Sequence, residues 1–274
     1  MTGGGDHSSD TKAFYDGALR DALERVTGEH LHLGLFSAAD QPHAEAAAAA
    51  TRTMADPPVA LSADSRVLEV ACGVGAAARH LAERFGCHVT ATNISERQLE
   101  IGREMTAAAG LSDRVAFELA DFHDLSYPDA AFDLWWCQES LLHADDKVRV
   151  LREALRVLKP GGQMVFSDVT VPAWVDAANR TRIYERVQSP GMWAAEDYQR
   201  ALDELGITVL AHHDWSRHVA PSYDAIRRNF EAHQKQILET VPEGEFTHQL
   251  GLLRTWVAMA GDGKIGWVYF LART

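Results

Sequence analysis

RVLEVACGVG (66–75) is the stretch that decides the fold of this chain. Its first six residues form a short, mostly apolar run that is typical of a buried strand. Gly73 and Gly75 then predict a tight turn, and AAARHLAERF (76–85) has the apolar spacing of a helix. A strand, a glycine turn and a helix in this order predict the first unit of an open α/β sheet.

The alternation of strands and helices continues to the end of the chain. We predict further strands at HVTAT (88–92), VAFEL (115–119), FDLWWC (132–137), QMVFSD (163–168), ITVLAH (207–212) and IGWVYFLA (265–272). The helices predicted between them cover 95–109, 145–158, 196–205, about 222–240 and 246–260. This order predicts a Rossmann-like, doubly wound α/β fold with a seven-stranded sheet, mostly parallel, whose C-terminal strand is antiparallel.

Composition and pattern divide the chain into a tail, a cap and a main domain. Residues 1–10 are rich in glycine, serine and aspartate and predict a disordered tail. Residues 11–60, which include an alanine run, predict an N-terminal helical cap. We predict one α/β domain over 61–274, with lid insertions at about 170–195 and 214–262, where the regular alternation is interrupted.

Charge and cysteine content exclude several classes of function. The formal net charge is −13, and no basic run is concentrated anywhere, which argues against a nucleic-acid partner. Cys72, Cys87 and Cys137 lie in or beside apolar runs without metal-ligand spacing, so neither a disulfide nor a metal site is predicted. No stretch approaches the roughly 20 apolar residues of a membrane-spanning helix, and no signal-peptide core is visible. We therefore expect a cytoplasmic protein with no membrane partner, and a homodimer is left open.

The glycine turn by itself is a general nucleotide-binding signal. The dinucleotide pattern G-x-G-x-x-G fails because Ala78 occupies the last glycine position, and a P-loop fails for want of Gly-Lys-Ser/Thr. A merely tight connection between strand and helix is the structural alternative.

Further motifs follow the glycine turn in order. Asn93 ends the second strand, Asp121-Phe122 follows the third, and Gln138 follows the fourth. With these motifs the chain resembles the class I S-adenosylmethionine-dependent methyltransferases over roughly residues 65–170. The resemblance implies S-adenosylmethionine as cofactor.

It also implies a set of cofactor-binding residues. The segment from Glu69 to Gly75 would wrap the methionine part, with Ala71 standing where glycine is commonest. Asn93 would bind the ribose hydroxyls where an acid is more usual, and Ser95 and Gln98 resemble a ribose-contacting element. Asp121 would accept from the exocyclic amine of the adenine, beside which Phe122 would pack, and Gln138 would lie on the methionine side. The full set is Glu69, Ala71, Gly73, Gly75, Asn93, Ser95, Gln98, Asp121, Phe122 and Gln138.

Three other segments resemble one branch of that superfamily: HLHLGLF (30–36), CQESLLHADDKVRVLREALRVLKPGG (137–162) and GDGKIGWVYF (261–270). This branch holds sarcosine/dimethylglycine methyltransferases and natural-product methyltransferases. Its His-x-Gly element folds over the cofactor and helps to seal the acceptor site. Thr27-Gly28 stands where many relatives carry a tryptophan, which argues against a betaine-synthesising enzyme.

Two residues are candidates for catalysis. His143 follows the fourth strand, where the acceptor should approach the methyl group, and the alternative is a histidine that caps the next helix. Asp168 ends the fifth strand and could orient a proton or a cation, whereas the alternative is an acid that accepts from backbone amides.

Aromatic residues and the absence of an obvious base suggest the acceptor. Candidate substrate residues are Tyr15, His32, Trp174, Tyr184, Trp193 and Tyr223. Aromatic side chains in an acceptor site favour a flat ring or a cationic amine. We therefore expect N- or C-methylation of a small amine or an electron-rich, indole-type aromatic metabolite.

Two rival functions stay open. Sarcosine or dimethylglycine N-methylation would require a cation for the substrate carboxylate, and Arg182, Arg186 and Lys264 are available. A non-catalytic sensor that binds S-adenosylmethionine is the rival from another class, because the cofactor motifs establish binding alone.

Overall fold

The carboxyl ends of the parallel strands position the candidate site. The structure, a computed structural model, describes Gly17, residues 32–56 and residues 59–274. The strands are β1 (Arg66–Val70), β2 (His88–Asn93), β3 (Val115–Leu119), β4 (Phe132–Gln138), β5 (Leu158–Thr170), β6 (Thr208–Asp214) and β7 (Gly266–Arg273). The α-helices are His43–Met54, Ala76–Phe85, Glu96–Ala108, Lys147–Val157, Ala177–Val187, Ala195–Glu204, Val219–Ala232, Gln234–Ile237 and Glu243–Gly261.

The sheet has the order β3-β2-β1-β4-β5-β7-β6. Strand β1 pairs in parallel with β2 on one side and with β4 on the other, so the strand order reverses beside β1. Ligands of open α/β sheets bind at such a reversal. The predicted seven-stranded, Rossmann-like sheet, mostly parallel with antiparallel strands at its C-terminal side, is confirmed.

The central strands are buried because their sequences are apolar on both faces. All residues of β4 except Asp133 are buried, and Trp135 and Trp136 are completely enclosed. Continuous apolar runs of this kind are typical of parallel strands that helices cover on both sides. The helix Lys147–Val157 contributes Val150, Leu151 and Ala154 to the core, at the spacing of one helical face.

Strand β5 is longer than predicted. The sequence predicts its start at residue 163, after the helix-ending Lys159-Pro160-Gly161-Gly162, but the strand already begins at Leu158. The pairing with β4 jumps from Phe132↔Leu158 to Leu134↔Gln163, so the proline and the glycines form an irregularity within the strand. Gly161, with φ of 75°, supplies the left-handed backbone that this excursion requires.

The helical segments also differ from the prediction in detail. The predicted helix at 222–240 is two helices, Val219–Ala232 and Gln234–Ile237. Within the predicted connection 170–195 lies the helix Ala177–Val187, which begins where Asp176 accepts a hydrogen bond of 3.0 Å from the amide of Asn179. Apart from Gly17, the predicted N-terminal cap lies outside the described residues up to residue 31, and its alanine run lies in the helix His43–Met54.

The chain forms two compact units. One consists of Thr51–Asp168, Glu196–His213 and Tyr269–Thr274, and includes β1 to β4. The other contains, among the described residues, 32–50, Val169–Ala195 and Asp214–Val268. The domain boundaries drawn from the sequence stay a prediction. Across the described part of the chain, no helix has the length and apolar character needed to cross a membrane.

The second unit has an aromatic interior. The indole nitrogen of Trp256 donates to the carbonyl of Ile183 at 3.0 Å, and the Tyr223 and Trp256 ring centroids are 4.4 Å apart. The His-x-Gly element joins this unit, because the amide of Gly34 donates to Oγ of Ser222 at 3.0 Å. A Cβ on Gly34 would lie 2.6 Å from the Cβ of Ala46, so only glycine allows this close approach.

Candidate active site

Glu69 is a buried acid near the end of β1. Its side chain is 3% exposed, and Oε2 has no hydrogen-bond partner among the residues that the structure describes. Burial raises the pKa of Glu69 to about 8, although the Arg79 guanidinium and a hydrogen bond from the Ala78 backbone act in the opposite direction. An acid with an unsatisfied oxygen in this position is suited to hold a polar or cationic ligand group.

The two loop glycines are needed for different reasons. Both have left-handed backbones, with φ of 56° at Gly73 and 79° at Gly75. A Cβ on Gly75 would lie 2.6 Å from the ring of Phe117, so this glycine allows a close contact within the protein. A Cβ on Gly73 would meet nothing within 4 Å, so Gly73 faces open space where a ligand can approach the backbone.

Two residues with side chains adopt left-handed backbones at the ends of neighbouring strands. Ala71, after β1, has φ of 52°, and Glu139, after β4, has φ of 51°. Such conformations cost non-glycine residues roughly 1–2 kcal/mol each. The backbone of Ala71 explains why glycine is common there, and both turns redirect the chain where the ligand site is predicted.

Asn93, Ser95 and Gln98 form a buried polar cluster after β2. The side-chain amide of Asn93 donates to Oε1 of Gln98 at 2.8 Å, and its Oδ1 accepts from the amide of Ile94 at 2.7 Å. Ser95 is fully buried and caps the helix Glu96–Ala108 by accepting from the amide of Gln98. The geometry thus gives Ser95 a capping contact and gives Gln98 a contact that orients Asn93, while their contacts to a ribose stay predictions.

Asp121 and Phe122 lie in the turn after β3. Oδ1 of Asp121 accepts from the backbone amide of His123 at 2.9 Å and lies 2.7 Å from Nδ1 of the same residue. The Phe122 and His123 rings meet edge to face at 4.8 Å. The structure therefore holds the predicted adenine-binding carboxylate in one orientation, through a histidine that the sequence did not single out.

Gln138 is the last residue of β4, and only the oxygen of its side-chain amide has a hydrogen-bond partner in the described part of the chain. Its Oε1 accepts from Oγ1 of Thr51 at 3.3 Å. Its Nε2 is buried and has no hydrogen-bond partner in the described part of the chain, and the residue is 9% exposed. Buried polar groups without partners are rare in proteins, so this donor indicates a ligand acceptor group.

His143 lies in a buried turn whose backbone forms hydrogen bonds with two side chains. The turn Leu141–His143 is a short 3-10 helix, and His143 is 8% exposed. Oδ1 of Asp168 accepts from the amide of Leu142 at 3.2 Å, and Nζ of Lys147 donates to the carbonyl of Ala144 at 2.8 Å. Asp146, and not His143, caps the helix Lys147–Val157. The helix-capping alternative for His143 is therefore wrong.

Asp168 itself is fully buried. Besides the amide of Leu142, its carboxylate accepts from the hydroxyl of Tyr198 at 2.5 Å. Burial and the Asp168 charge raise the pKa of Tyr198 well above its ordinary value, which keeps its hydroxyl a donor. This geometry favours the structural alternative for Asp168 over contact with a substrate, because both carboxylate oxygens accept from the protein.

The predicted substrate residues that the structure describes have different environments. Tyr15 lies outside the described residues, and His32 is half-buried. Trp174 is 65% exposed on the surface, whereas Tyr223 is buried against Trp256. Tyr184 and Trp193 are half-buried, and the hydroxyl of Tyr184 accepts from Arg180 at 3.1 Å. Their roles toward a substrate stay predictions.

The sequence analysis missed Thr51, His123, Lys147 and Tyr198. Thr51 and Tyr198 act on partners that only the fold brings near, whereas His123 and Lys147 act on neighbours two and three residues away, through side-chain orientations that the sequence does not reveal. Within the described residues, no group of three or more His, Cys, Asp or Glu side chains could hold a metal ion.

Comparisons with known proteins place this geometry in a family. A family described as "Methyltransferase domain" matches residues 68–166. The 27-O-demethylrifamycin SV methyltransferase of Amycolatopsis mediterranei is 34% identical over 94% of this chain and 94% of its own length. The glycine/sarcosine/dimethylglycine N-methyltransferase of Actinopolyspora halophila is 32% identical over 90% of this chain, which spans 43% of that longer relative.

A solved structure has the same fold. The crystal structure of a protein from Galdieria sulphuraria, assigned as a sarcosine dimethylglycine methyltransferase, superposes with a TM-score of 0.87. It is 25% identical, and the superposition covers 94% of this chain and 98% of that one. The chain belongs to the S-adenosylmethionine-dependent methyltransferases, as its motifs predict, and it is an enzyme of the small-molecule branch.

The residues present fit the cofactor of this family. Gly73 leaves open the space that a Cβ would occupy, and Glu69 and Gln138 carry buried polar atoms without partners in the described residues. Because β1 and β4 are adjacent parallel strands, these two side chains lie near the same end of the sheet. One accepts hydrogen bonds and the other donates them, which suits the ammonium and carboxylate groups of a bound amino acid.

Proposed function

We propose that this enzyme methylates a small amine or an electron-rich, indole-type aromatic metabolite, on nitrogen or carbon. The observation that carries the proposal is that the Asp168 carboxylate is buried and already accepts hydrogen bonds from the Leu142 amide and the Tyr198 hydroxyl. Of the two predicted catalytic residues, His143 is then the one suited to meet an acceptor. A single histidine suits acceptors that need little proton removal, as neutral amines and ring carbons do.

The cofactor-holding roles follow from the residues already described. Glu69 and Gln138 would hold the polar methionine end, Asn93 with Gln98 the ribose, and Asp121 with Phe122 the adenine. When bound, S-adenosylmethionine supplies an electrophilic methyl group on a sulfonium. Alignment of the acceptor is the main task left to the protein, and alignment alone contributes about 7–11 kcal/mol in well-oriented model reactions.

His143 would orient the acceptor and take up its proton. Its backbone lies in a turn whose amide at Leu142 and carbonyl at Ala144 are both held by buried side chains. A turn held in this way loses little conformational entropy when an acceptor binds. We assign His143 the positioning of the acceptor nucleophile, and Asp168 the support of the turn.

An acceptor screen tests this proposal. S-adenosylhomocysteine formation is measured with tryptamine, tryptophan and indole, with a phenol and a catechol, and with glycine, sarcosine and dimethylglycine. We expect turnover with an indole or another amine, and a large loss of it in His143→Ala. Turnover with hydroxyl acceptors alone would overturn the proposal, and full turnover in His143→Ala would remove this residue from the mechanism.

One observation favours a second candidate function, the N-methylation of glycine derivatives. Arg186 is 6% exposed, and its guanidinium carbon lies 6.0 Å from the ring centroid of Tyr223. A buried guanidinium is the group that would recognise a substrate carboxylate. Of the other two cations considered, Arg182 is exposed and Lys264 pairs with Asp262 at 2.8 Å.

Arg186→Gln separates the two candidates. If the natural acceptor carries a carboxylate, this change raises KM for sarcosine or dimethylglycine and leaves KM for tryptamine unchanged. No turnover of any glycine derivative at millimolar concentration would reject the second candidate. A protein that binds S-adenosylmethionine yet turns over no acceptor would favour a sensor.

We further propose a cytoplasmic location. The three cysteines are buried and unpaired by disulfides, which suits a reducing compartment. Cell fractionation tests the location, and light scattering of the purified protein tests the homodimer.

A further inference from the structure

We infer that His123 is a positioning residue that gives this enzyme its selectivity for adenine in the cofactor. The inference rests on the proposed role of Asp121 as the acceptor of the adenine amine. His123 contacts one oxygen of that carboxylate twice, since its backbone amide and its Nδ1 both lie within hydrogen-bond distance of Oδ1, at 2.9 Å and 2.7 Å. The Nδ1 contact belongs to the side chain, and it restricts rotation of the carboxylate beyond what the backbone amide alone would do.

A second carboxylate lies near the other edge of the imidazole. Nε2 of His123 lies 3.1 Å from Oδ1 of Asp145, and the histidine side chain is 13% exposed. The ring therefore stands between two carboxylates, Asp121 in the turn after β3 and Asp145 after the turn that carries His143. Edge-to-face contact with Phe122, the residue predicted to pack beside the adenine, further restricts the ring.

The arrangement has a chemical consequence for base recognition. The exocyclic amine of adenine is a hydrogen-bond donor, whereas the oxygen at the same position of hypoxanthine is an acceptor. A carboxylate held in one orientation accepts from the amine and repels the oxygen. A carboxylate free to rotate can turn away from the oxygen at little cost, so the discrimination between the two bases falls.

Calorimetry with two ligands tests this inference without knowledge of the methyl acceptor. The probes are S-adenosylhomocysteine and S-inosylhomocysteine, which differ in the base alone. We expect His123→Ala to weaken binding of the adenosyl ligand about tenfold, the scale of one hydrogen bond to a charged group. The inosyl ligand should change less than about twofold, because it lacks the amine that the oriented carboxylate would bind.

Two further variants separate positioning from a general structural effect. In His123→Asn, the side-chain nitrogen can take the place of Nδ1, so we expect it to restore most of the adenine selectivity. Asp121→Asn should abolish the selectivity, and His123→Ala in that background should cause no further loss.

The outcomes are distinct. An equal loss for both ligands in His123→Ala, or selectivity that is unchanged, would overturn the role of His123. A wild-type protein that binds both ligands equally would overturn it as well, because Asp121 then does not recognise the amine. Failure of the wild-type protein to bind either ligand would instead contradict the proposed cofactor site.

Discussion

The hydroxyl of Tyr198 donates a hydrogen bond of 2.5 Å to Oδ2 of Asp168, and both side chains are fully buried. Oδ1 of the same carboxylate accepts from the amide of Leu142, beside His143. A residue from the helix Ala195–Glu204 thus supports the turn that carries the candidate catalytic histidine.

Tyr198→Phe should destabilise the protein by about 1–3 kcal/mol, because a buried carboxylate oxygen loses its donor. Urea unfolding measures the change. Tyr184→Phe is the matched control, since the hydroxyl of Tyr184 is half-buried and pairs with Arg180 at 3.1 Å, and its loss should cost less. A Tyr198→Phe protein as stable as the wild type would show that Asp168 does not depend on this hydroxyl.

Glu69 makes stability depend on pH in a direction opposite to that of an ion-paired acid whose folded-state pKa is lowered. Its folded-state pKa is raised to about 8 from an ordinary value of 4.5, so the folded protein keeps a proton that the unfolded chain releases. This contribution is fully present below about pH 4.5 and is lost as pH rises toward 8. The slope approaches roughly 1.4 kcal/mol per pH unit.

Glu69→Gln removes this titration, since an amide does not ionise. In the cofactor-free protein, the unfolding free energy of the wild type relative to the variant should therefore fall between pH 5.5 and 8. Urea unfolding of both proteins at both pH values measures this difference in unfolding free energy. The other titrating groups are the same in the two proteins, so their contributions cancel. Parallel pH dependence of the two proteins would contradict the raised pKa of Glu69.

Gly73→Val should abolish binding of S-adenosylmethionine, because its side chain would enter the open space beside the loop. Gly110→Val is the control for backbone strain. Gly110 also has a left-handed backbone, with φ of 71° against 56° at Gly73, and a Cβ there also meets nothing within 4 Å. Calorimetry should show no binding in the first variant and wild-type affinity in the second. Retained affinity in Gly73→Val would refute the placement of the ligand at this loop.

Ala71→Gly should stabilise the cofactor-free protein by up to about 1 kcal/mol, since relief of left-handed strain exceeds the entropy cost of glycine. Ala130→Gly is the matched change, because Ala130 has φ of 55° in an exposed position away from the glycine loop. We expect similar gains in the two variants by urea unfolding. Loss of stability at Ala71 alone would mean that its methyl group packs favourably enough to outweigh the strain.

The sheet could be predicted from the sequence because its central strands are continuous apolar runs ending in turn residues. Apart from Arg66 and Asp133, the residues of RVLEV and FDLWWCQ are buried, and short apolar runs that end in turn residues favour buried parallel strands. The start of β5 could not be predicted in the same way. Pro160 and Gly161 argue against a strand locally, and pairing with β4 overrides that preference.

Part of the candidate active site could be predicted from local sequence patterns. Gly73, Glu69 and Gln138 come at the ends of predicted strands, where a parallel sheet exposes its ligand site. Ser95 and Gln98 have the spacing of a helix-capping box, a signal that could have revealed the cap.

The supporting contacts could not be found in this way. Tyr198 is 30 residues from Asp168, and Thr51 is 87 residues from Gln138. Their roles depend on side-chain orientation within the folded protein, which neither periodicity nor spacing encodes. His123 is close to Asp121 in sequence, yet its ring could equally have faced solvent.

The most direct test of the central claim is calorimetric titration with S-adenosylmethionine, followed by mass analysis of the acceptor panel after incubation with methyl-labelled cofactor. We expect saturable binding that Gly73→Val abolishes, and transfer of the label to a small amine or an electron-rich aromatic acceptor. Absence of binding by the wild-type protein, or binding that Gly73→Val leaves intact, would contradict the assignment of the cofactor site.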